Sequence, residues 1–201
     1  MVPLHGEVVD RLAIAVGHQV ITQLQLDEEL RVIALMNHQP IKRTLEERRA
    51  AADRLVEQLL IKHEMEVSRY PLPSDEDVSK YLQQVSDQNG GAAGLAKALR
   101  SYDLTENTLR QHLELQLTTL RFVEYRFQPD AAVSDADVEA AYRREVAGWR
   151  ATHGGNPPTL EASRERIRSA LLEERTGAAL DAWLAESRTQ VNIVYLDKAL
   201  Q

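Results

Sequence analysis

The amino-acid sequence predicts a mainly α fold in which a small antiparallel sheet joins an N-terminal hairpin to a C-terminal strand. Two observations support this prediction directly. Apolar residues come close to alternating with polar or small ones near both ends of the chain, which is typical of half-buried strands. Between the ends, apolar residues recur every three or four positions, as in amphipathic helices. Because an isolated hairpin is marginally stable in water, we expect the C-terminal strand to pair with it as a third strand.

The predicted hairpin lies in residues 7–26. Residues 17–19 have turn chemistry, and residues 20–21 resume an extended β-branched pair before a helix begins at Thr22. The first strand is predicted from five apolar residues, Val8, Val9, Leu12, Ile14 and Val16. The last strand is predicted within residues 190–196 from the alternating residues Val191, Ile193 and Tyr195.

Seven helices are predicted between these strands, over about residues 22–36, 44–69, 74–89, 93–100, 104–127, 134–147 and 160–189. Capping residues followed three positions later by Gln, Glu or Asp mark four of the helix starts, and proline or glycine marks most of the ends. The four caps are Thr22, Thr44, Ser74 and Ser134. Gly177 lies inside the last helix, where it costs roughly 1 kcal/mol relative to alanine, so we expect a kink or close packing there.

Residues 148–159 have no apolar periodicity and contain the run Gly154-Gly155-Asn156-Pro157-Pro158, which predicts a linker. We therefore expect residues 1–147 and 160–201 to form one discontinuous domain whose terminal strands pair. A short hinge also favours exchange of the last helix and strand between two copies. A monomer and a homodimer formed by arm exchange both remain open.

Composition excludes several classes of function. The chain has 201 residues, a formal net charge of −7 and no cysteine. An acidic chain disfavours binding to nucleic acid, because phosphate contacts need clustered Lys and Arg. The lack of cysteine excludes thiolate metal sites and cysteine nucleophiles. No stretch approaches the roughly 20 apolar residues of a membrane span, so we expect no membrane insertion.

The search for catalytic or metal-binding residues finds no convincing pattern. The six histidines are scattered, and His63-Glu64 lacks the second histidine of a zinc-binding helix. A carboxylate pair such as Glu64 or Glu66 with Asp87 would be needed for acid–base chemistry, but helical spacing places most acidic residues on the surface. We predict that the protein is not an enzyme and needs no metal or cofactor.

Aromatic side chains are the candidates for contacts with an unfolded or extended peptide, because they act as sequence-tolerant anchors. Phe122 and Tyr142 also fit core stripes. Trp149 differs, since it follows Gly148 where the helical pattern stops, although interdomain packing would explain it equally well. The candidate residues are Trp149, Phe127, Tyr125, Tyr142 and Phe122.

Several segments, taken in order, resemble the SurA-type periplasmic chaperones. The run Val8-Val9-Asp10-Arg11-Leu12-Ala13-Ile14-Ala15-Val16, a turn and Val20-Ile21-Thr22 are similar to the start of that family. The similarity continues along nearly the whole chain, although each motif is short. The further matching segments are residues 53–61, 74–78, 88–90, 104–105, 133–138, Trp183-Leu184 and 191–196.

This resemblance implies a chaperone core and an ATP-independent holdase that binds unfolded outer-membrane or exported polypeptides. Family members usually carry parvulin-type prolyl isomerase domains between the helix of Val138 and the final helix, where this chain has only residues 148–159. We therefore expect no isomerase activity. The resemblance also implies a periplasmic location, with the signal peptide not present in this chain. The alternative is a helical adaptor or self-assembling interaction module with one specific protein partner.

Overall fold

The computed structural model describes residues 10–152 and 156–200. Within these residues the chain forms seven α-helices and one three-stranded sheet, which confirms the predicted mainly α fold. The elements in chain order are β1 (Leu12–Val16), β2 (Gln19–Thr22), α1 (Gln23–Met36), α2 (Leu45–Val67), α3 (Asp75–Gln88), α4 (Gly91–Ser101), α5 (Glu106–Arg126), α6 (Asp135–Thr152), α7 (Leu160–Gln190) and β3 (Ile193–Tyr195). Short 3₁₀ turns lie at Gln128–Asp130 and Lys198–Leu200.

The sheet joins the two ends of the chain as predicted. Its strand order is β2-β1-β3, and both pairings are antiparallel. Gly17 has a φ of +57°, which suits the tight turn between β1 and β2, and its N–H donates to the Asn192 carbonyl at 2.9 Å. Ile14 and Ile21 face the core. The two valines at positions 8 and 9 that contributed to the prediction lie outside the described residues.

Helix starts follow the capping signals in the sequence. Thr22 and Gln25 form a reciprocal capping box at α1, and Ser74 forms one with Asp77 at α3. Thr44 accepts a hydrogen bond from the Glu47 backbone N–H at the start of α2. At α6 the Ser134 Oγ accepts from the Asp137 N–H at 3.2 Å, and the Asp137 carboxylate accepts from the Ser134 N–H at 2.9 Å.

The structure corrects the start of the predicted linker, and at Gly177 it excludes close packing, one of the two expectations for that residue. Helix α6 continues through Gly148 to Thr152, so the predicted linker at 148–159 begins too early. A glycine costs roughly 1 kcal/mol inside a helix, yet α6 continues past Gly148, and the half-buried Trp149 that follows it lines a pocket. Gly177 is not closely packed, because a Cβ atom added there would meet nothing within 4 Å.

The described chain divides into two compact units. Unit 1 contains the described residues up to Arg121 and those from Glu186 onward, and unit 2 is Phe122–Ala185. The boundary falls inside α5 and α7, so each of these helices contributes residues to both units. The single discontinuous domain over residues 1–147 and 160–201 stays a prediction.

Each unit has an aliphatic core. In unit 1 it is formed by α1, α3, α4 and α5, with the side chains Val32, Leu35, Val78, Val85, Leu95, Leu99, Leu104, Leu109 and Leu113. In unit 2, Val138 and Ala141 of α6 pack with Ile167 of α7. Across residues 10–152 and 156–200, no helix is both long and apolar enough to span a membrane.

Candidate functional site

Unit 2 contains a pocket of about 490 Å³ between α6 and α7. We call it the Trp149 pocket. Its walls are mostly apolar, with a few polar side chains, which is the usual composition of a binding pocket. The lining residues are Tyr142, Glu145, Val146, Trp149, Pro157, Pro158, Ala162, Ser163 and Arg166.

The spacing of residues along α6 explains why two aromatic side chains lie on the same wall of the pocket. Tyr142, Val146 and Trp149 are separated by four and three positions along α6, so they occupy one face of that helix. The Trp149 and Tyr142 side chains are half-buried, and Tyr142 also packs against the core of unit 2. The structure therefore brings together two of the five aromatic residues that the sequence predicted as peptide contacts.

The segment before α7 contributes Pro157 and Pro158 to the lining of the pocket. The Tyr142 hydroxyl donates a hydrogen bond to the Pro158 carbonyl at 2.8 Å, which ties this segment to α6. Thr159 caps α7, because its Oγ1 accepts from the Ala162 N–H at 3.3 Å and its carbonyl accepts from the Ser163 N–H at 3.1 Å. Proline restricts the backbone, so the wall at Pro157 and Pro158 is stiff.

An ion pair lies at the polar side of the pocket. The Arg166 guanidinium donates to both Glu145 carboxylate oxygens, at 3.1 and 2.5 Å. The Glu145 carboxylate raises the pKa of Arg166 above its usual range. The two side chains are 61% and 46% exposed, so this pair contributes little to stability and is available to polar groups of a ligand.

The other three predicted aromatic residues do not line the Trp149 pocket. Phe122 and Phe127 are buried, with exposed fractions of 0% and 8%. The Phe122 ring contacts Phe127 edge-on at a centroid distance of 5.4 Å and Trp183 at 4.6 Å. The Phe122 side chain is therefore a core residue, as its position on a helical stripe favoured. Tyr125 is 40% exposed near the end of α5.

Unit 1 contains a polar cluster that the sequence interpretation missed. The Glu29 side chain is 3% exposed and contacts Arg54 Nε at 3.2 Å and His112 Nδ1 at 2.9 Å. These contacts hold α1 to α2 and α5, beside a cavity of about 290 Å³. The sequence contained a signal for this cluster, because the charged Glu29 lies between Leu26 and Leu30 on the apolar face of α1.

The side chains that line the Trp149 pocket offer several kinds of noncovalent contact. Trp149 and Tyr142 offer ring surface, Val146 and Ala162 offer aliphatic contact, and the ion pair offers hydrogen bonds. Among residues 10–152 and 156–200, no group of three or more His, Asp or Glu side chains is arranged to hold a metal ion. The pocket suits an apolar or aromatic group.

No family model matches this chain, and no curated protein matches its sequence. Its fold is similar to a solved structure that was published under a title on PEB4 and Cj1289. That title describes the two proteins as structurally related SurA-like chaperones of Campylobacter jejuni. The similarity covers 94% of this chain and 100% of the other, with a TM-score of 0.54 and 13% sequence identity. At this identity the comparison establishes a related fold.

Proposed function

We propose that this protein is an ATP-independent periplasmic chaperone that holds unfolded outer-membrane or exported polypeptides. The observation that carries the proposal is the Trp149 pocket, where half-buried Trp149 and Tyr142 line an apolar cavity of about 490 Å³. The fold shared with SurA-like chaperones supports the same proposal, as does the resemblance of the sequence segments. The periplasmic location rests on that resemblance.

The pocket has the chemistry that an unfolded client needs. Aromatic rings bury a large area and accept many side-chain shapes, so they bind without strict sequence preference. Burying one client side chain contributes roughly 1.5–3 kcal/mol, whereas a dissociation constant of about 1 mM already requires about 4 kcal/mol. Stable holding therefore needs several contacts along the client, of which the Trp149 pocket supplies one.

The proposal does not include prolyl isomerase activity. Only residues 153–159 separate α6 from α7. A folded domain needs at least about 50 residues, so this interval cannot hold a parvulin-type domain. We propose that the chain acts by binding alone.

The test is light scattering by a urea-unfolded outer-membrane barrel protein that is diluted into buffer without nucleotide. We expect wild-type protein to suppress aggregation near equimolar ratio, and Trp149→Ala to need a several-fold higher ratio. Tyr125→Ala is the matched control, because it removes an exposed aromatic ring of the same unit outside the pocket. We expect this control to behave like wild type.

Circular dichroism of each variant distinguishes lost binding from lost folding. If folded wild-type protein leaves aggregation unchanged, the holdase proposal is wrong, and the adaptor with one specific partner becomes the better hypothesis. If folded Trp149→Ala suppresses aggregation at the same ratio as wild type, clients do not depend on the Trp149 pocket.

A further inference from the structure

The solvent side of the terminal sheet is apolar. Val20 of β2 and Val194 of β3 both lie opposite Ala15 of β1, so these three side chains form a row across the sheet. Ile14 and Ile21 are 0% and 2% exposed and point to the other side, toward the core. Since successive residues of a strand alternate between faces, the row through Ala15 faces outward.

Two leucines extend this row. Thr22 follows the core-facing Ile21, so it faces outward, and Leu12 pairs with Thr22. The register shift between Leu12 and Ile14 therefore puts Leu12 on the outer side as well. Leu196 follows Val194 by two positions and is 47% exposed. We call Leu12, Ala15, Val20, Val194 and Leu196 the outer apolar face.

An apolar outer face departs from the usual pattern of a sheet with one solvated side. Such sheets normally carry polar residues at outward positions. Here Leu12, Val20 and Val194 are 50%, 46% and 41% exposed. Exposed apolar groups at adjacent positions of a sheet are a site for pairing or binding.

The area of the outer apolar face limits the kind of partner that it can bind. Four side chains that are each about half exposed offer on the order of 300 Å², the lower end of the largest patch on a typical monomer. A stable interface between two folded proteins takes about 800 Å² from each partner. The face is therefore too small for a stable dimer with a second copy, but it matches one extended peptide segment.

The edge of the sheet offers backbone groups next to this face. The two-residue turn at Gly17-His18 makes Val16 and Gln19 a hydrogen-bonded pair, and such pairs alternate along an antiparallel ladder. The N–H and C=O of Val20 therefore point away from β1. Among the described strands β2 is an edge, so an added strand would reach these groups.

We propose that the outer apolar face and the β2 edge bind an extended client segment with apolar side chains at every second position. This inference rests on the proposed holdase function and names a second contact for the same client. Period-two apolar spacing places the client side chains on one side of the added strand, where they meet the Val20 side of the outer apolar face. The Trp149 pocket, by contrast, accepts a single side chain.

The test uses the full chain and two labelled peptides of identical composition. One alternates valine and lysine, and the other has its valines in one block. We expect fluorescence anisotropy to show tighter binding of the alternating peptide. The double variant Val20→Thr, Val194→Thr should weaken that binding several-fold, because the apolar contact with Val20, the residue of the face next to the β2 edge, is lost.

Threonine keeps the β-branched shape and the strand propensity of valine, so the double variant should fold. Val67→Thr is the matched control, since Val67 is 64% exposed at the end of α2, and it should bind like wild type. Equal affinity of wild type and the double variant for the alternating peptide overturns the inference. Equal affinity of wild type for the two peptides also overturns it.

Two further results separate this inference from the proposed function. If the double variant binds the peptide like wild type and still suppresses client aggregation, the holdase function stands and the outer apolar face has no part in it. If sedimentation velocity shows a wild-type dimer that the double variant abolishes, the outer apolar face binds a second copy, and the inference is wrong.

Discussion

Two glycines inside helices should respond in opposite ways to an added methyl group. Gly177 is exposed within α7, and a Cβ atom there would meet nothing within 4 Å. Gly177→Ala should therefore stabilise the protein by about 1 kcal/mol, the difference in helix propensity between the two residues. The measurement is the free energy of unfolding in urea.

Gly94 is the matched control within α4. A Cβ atom at this position would lie 1.8 Å from the Asn89 carbonyl oxygen, so the backbone must shift to accept it. We expect Gly94→Ala to destabilise the protein by about 1–3 kcal/mol. A destabilising Gly177→Ala would show that α7 is closely packed at that residue, contrary to the structure.

At the scale of elements, the start of α3 depends on one capping residue. The Ser74 hydroxyl accepts from the Asp77 backbone N–H at 3.2 Å, which satisfies one of the free donors at the helix end. Ser74→Ala should cost about 1 kcal/mol of stability at neutral pH. Urea unfolding checks this value, and Ser79→Ala, on the exposed side of the same helix, should cost less.

The same cap predicts a dependence on pH. Hydrogen bonds from the Ser74 side chain and backbone, followed by Arg121, lower the pKa of Asp77 below its usual value of about 3.9. This stabilisation is complete above pH 4 and is lost as the pH falls through the lowered value. Asp77→Asn should therefore lower stability at pH 7 and have a smaller effect at pH 2. Equal losses at both pH values would contradict this account.

The helices could be predicted from the sequence because their signals are local. Thr22, Thr44, Ser74 and Ser134 each cap through a residue three positions away, so spacing alone indicates the helix start. The end of α6 could not be predicted in this way. Trp149 lines a pocket with Ala162 and Arg166 of α7, which are distant in sequence and come near it only in the folded chain.

The candidate site could be predicted only in part, for the same reason. An aromatic residue on a helical stripe can face a core or a pocket, and spacing does not distinguish these outcomes. Phe122 lies against Trp183 in the core, whereas Tyr142 and Trp149 line a pocket completed by Pro157 and Pro158. Glu29 was missed because its partners Arg54 and His112 come from other helices.

At the scale of the whole molecule, we expect the protein to bind polypeptides without catalysing prolyl isomerisation. Refolding limited by a prolyl bond takes tens to hundreds of seconds at 25 °C, so acceleration by a catalyst is easily measured. We expect no acceleration of such refolding by this protein at any ratio to its client. A rate that rises in proportion to added protein would contradict the proposal, and an authentic prolyl isomerase serves as the positive control.

The central claim is that unfolded polypeptide enters the Trp149 pocket, and fluorescence tests it most directly. The chain has two tryptophans, so Trp183→Phe leaves Trp149 as the single reporter and retains an aromatic ring beside Phe122. The measurement is the emission spectrum and acrylamide quenching of Trp149 as an unfolded, tryptophan-free outer-membrane protein is added.

We predict a saturable blue shift and reduced quenching, because the client covers the remaining surface of the half-buried Trp149 ring. The converse variant Trp149→Phe, which reports from Trp183, should show neither change. Client binding detected by anisotropy, with no change in the emission or quenching of Trp149, would contradict the claim that this pocket holds the client.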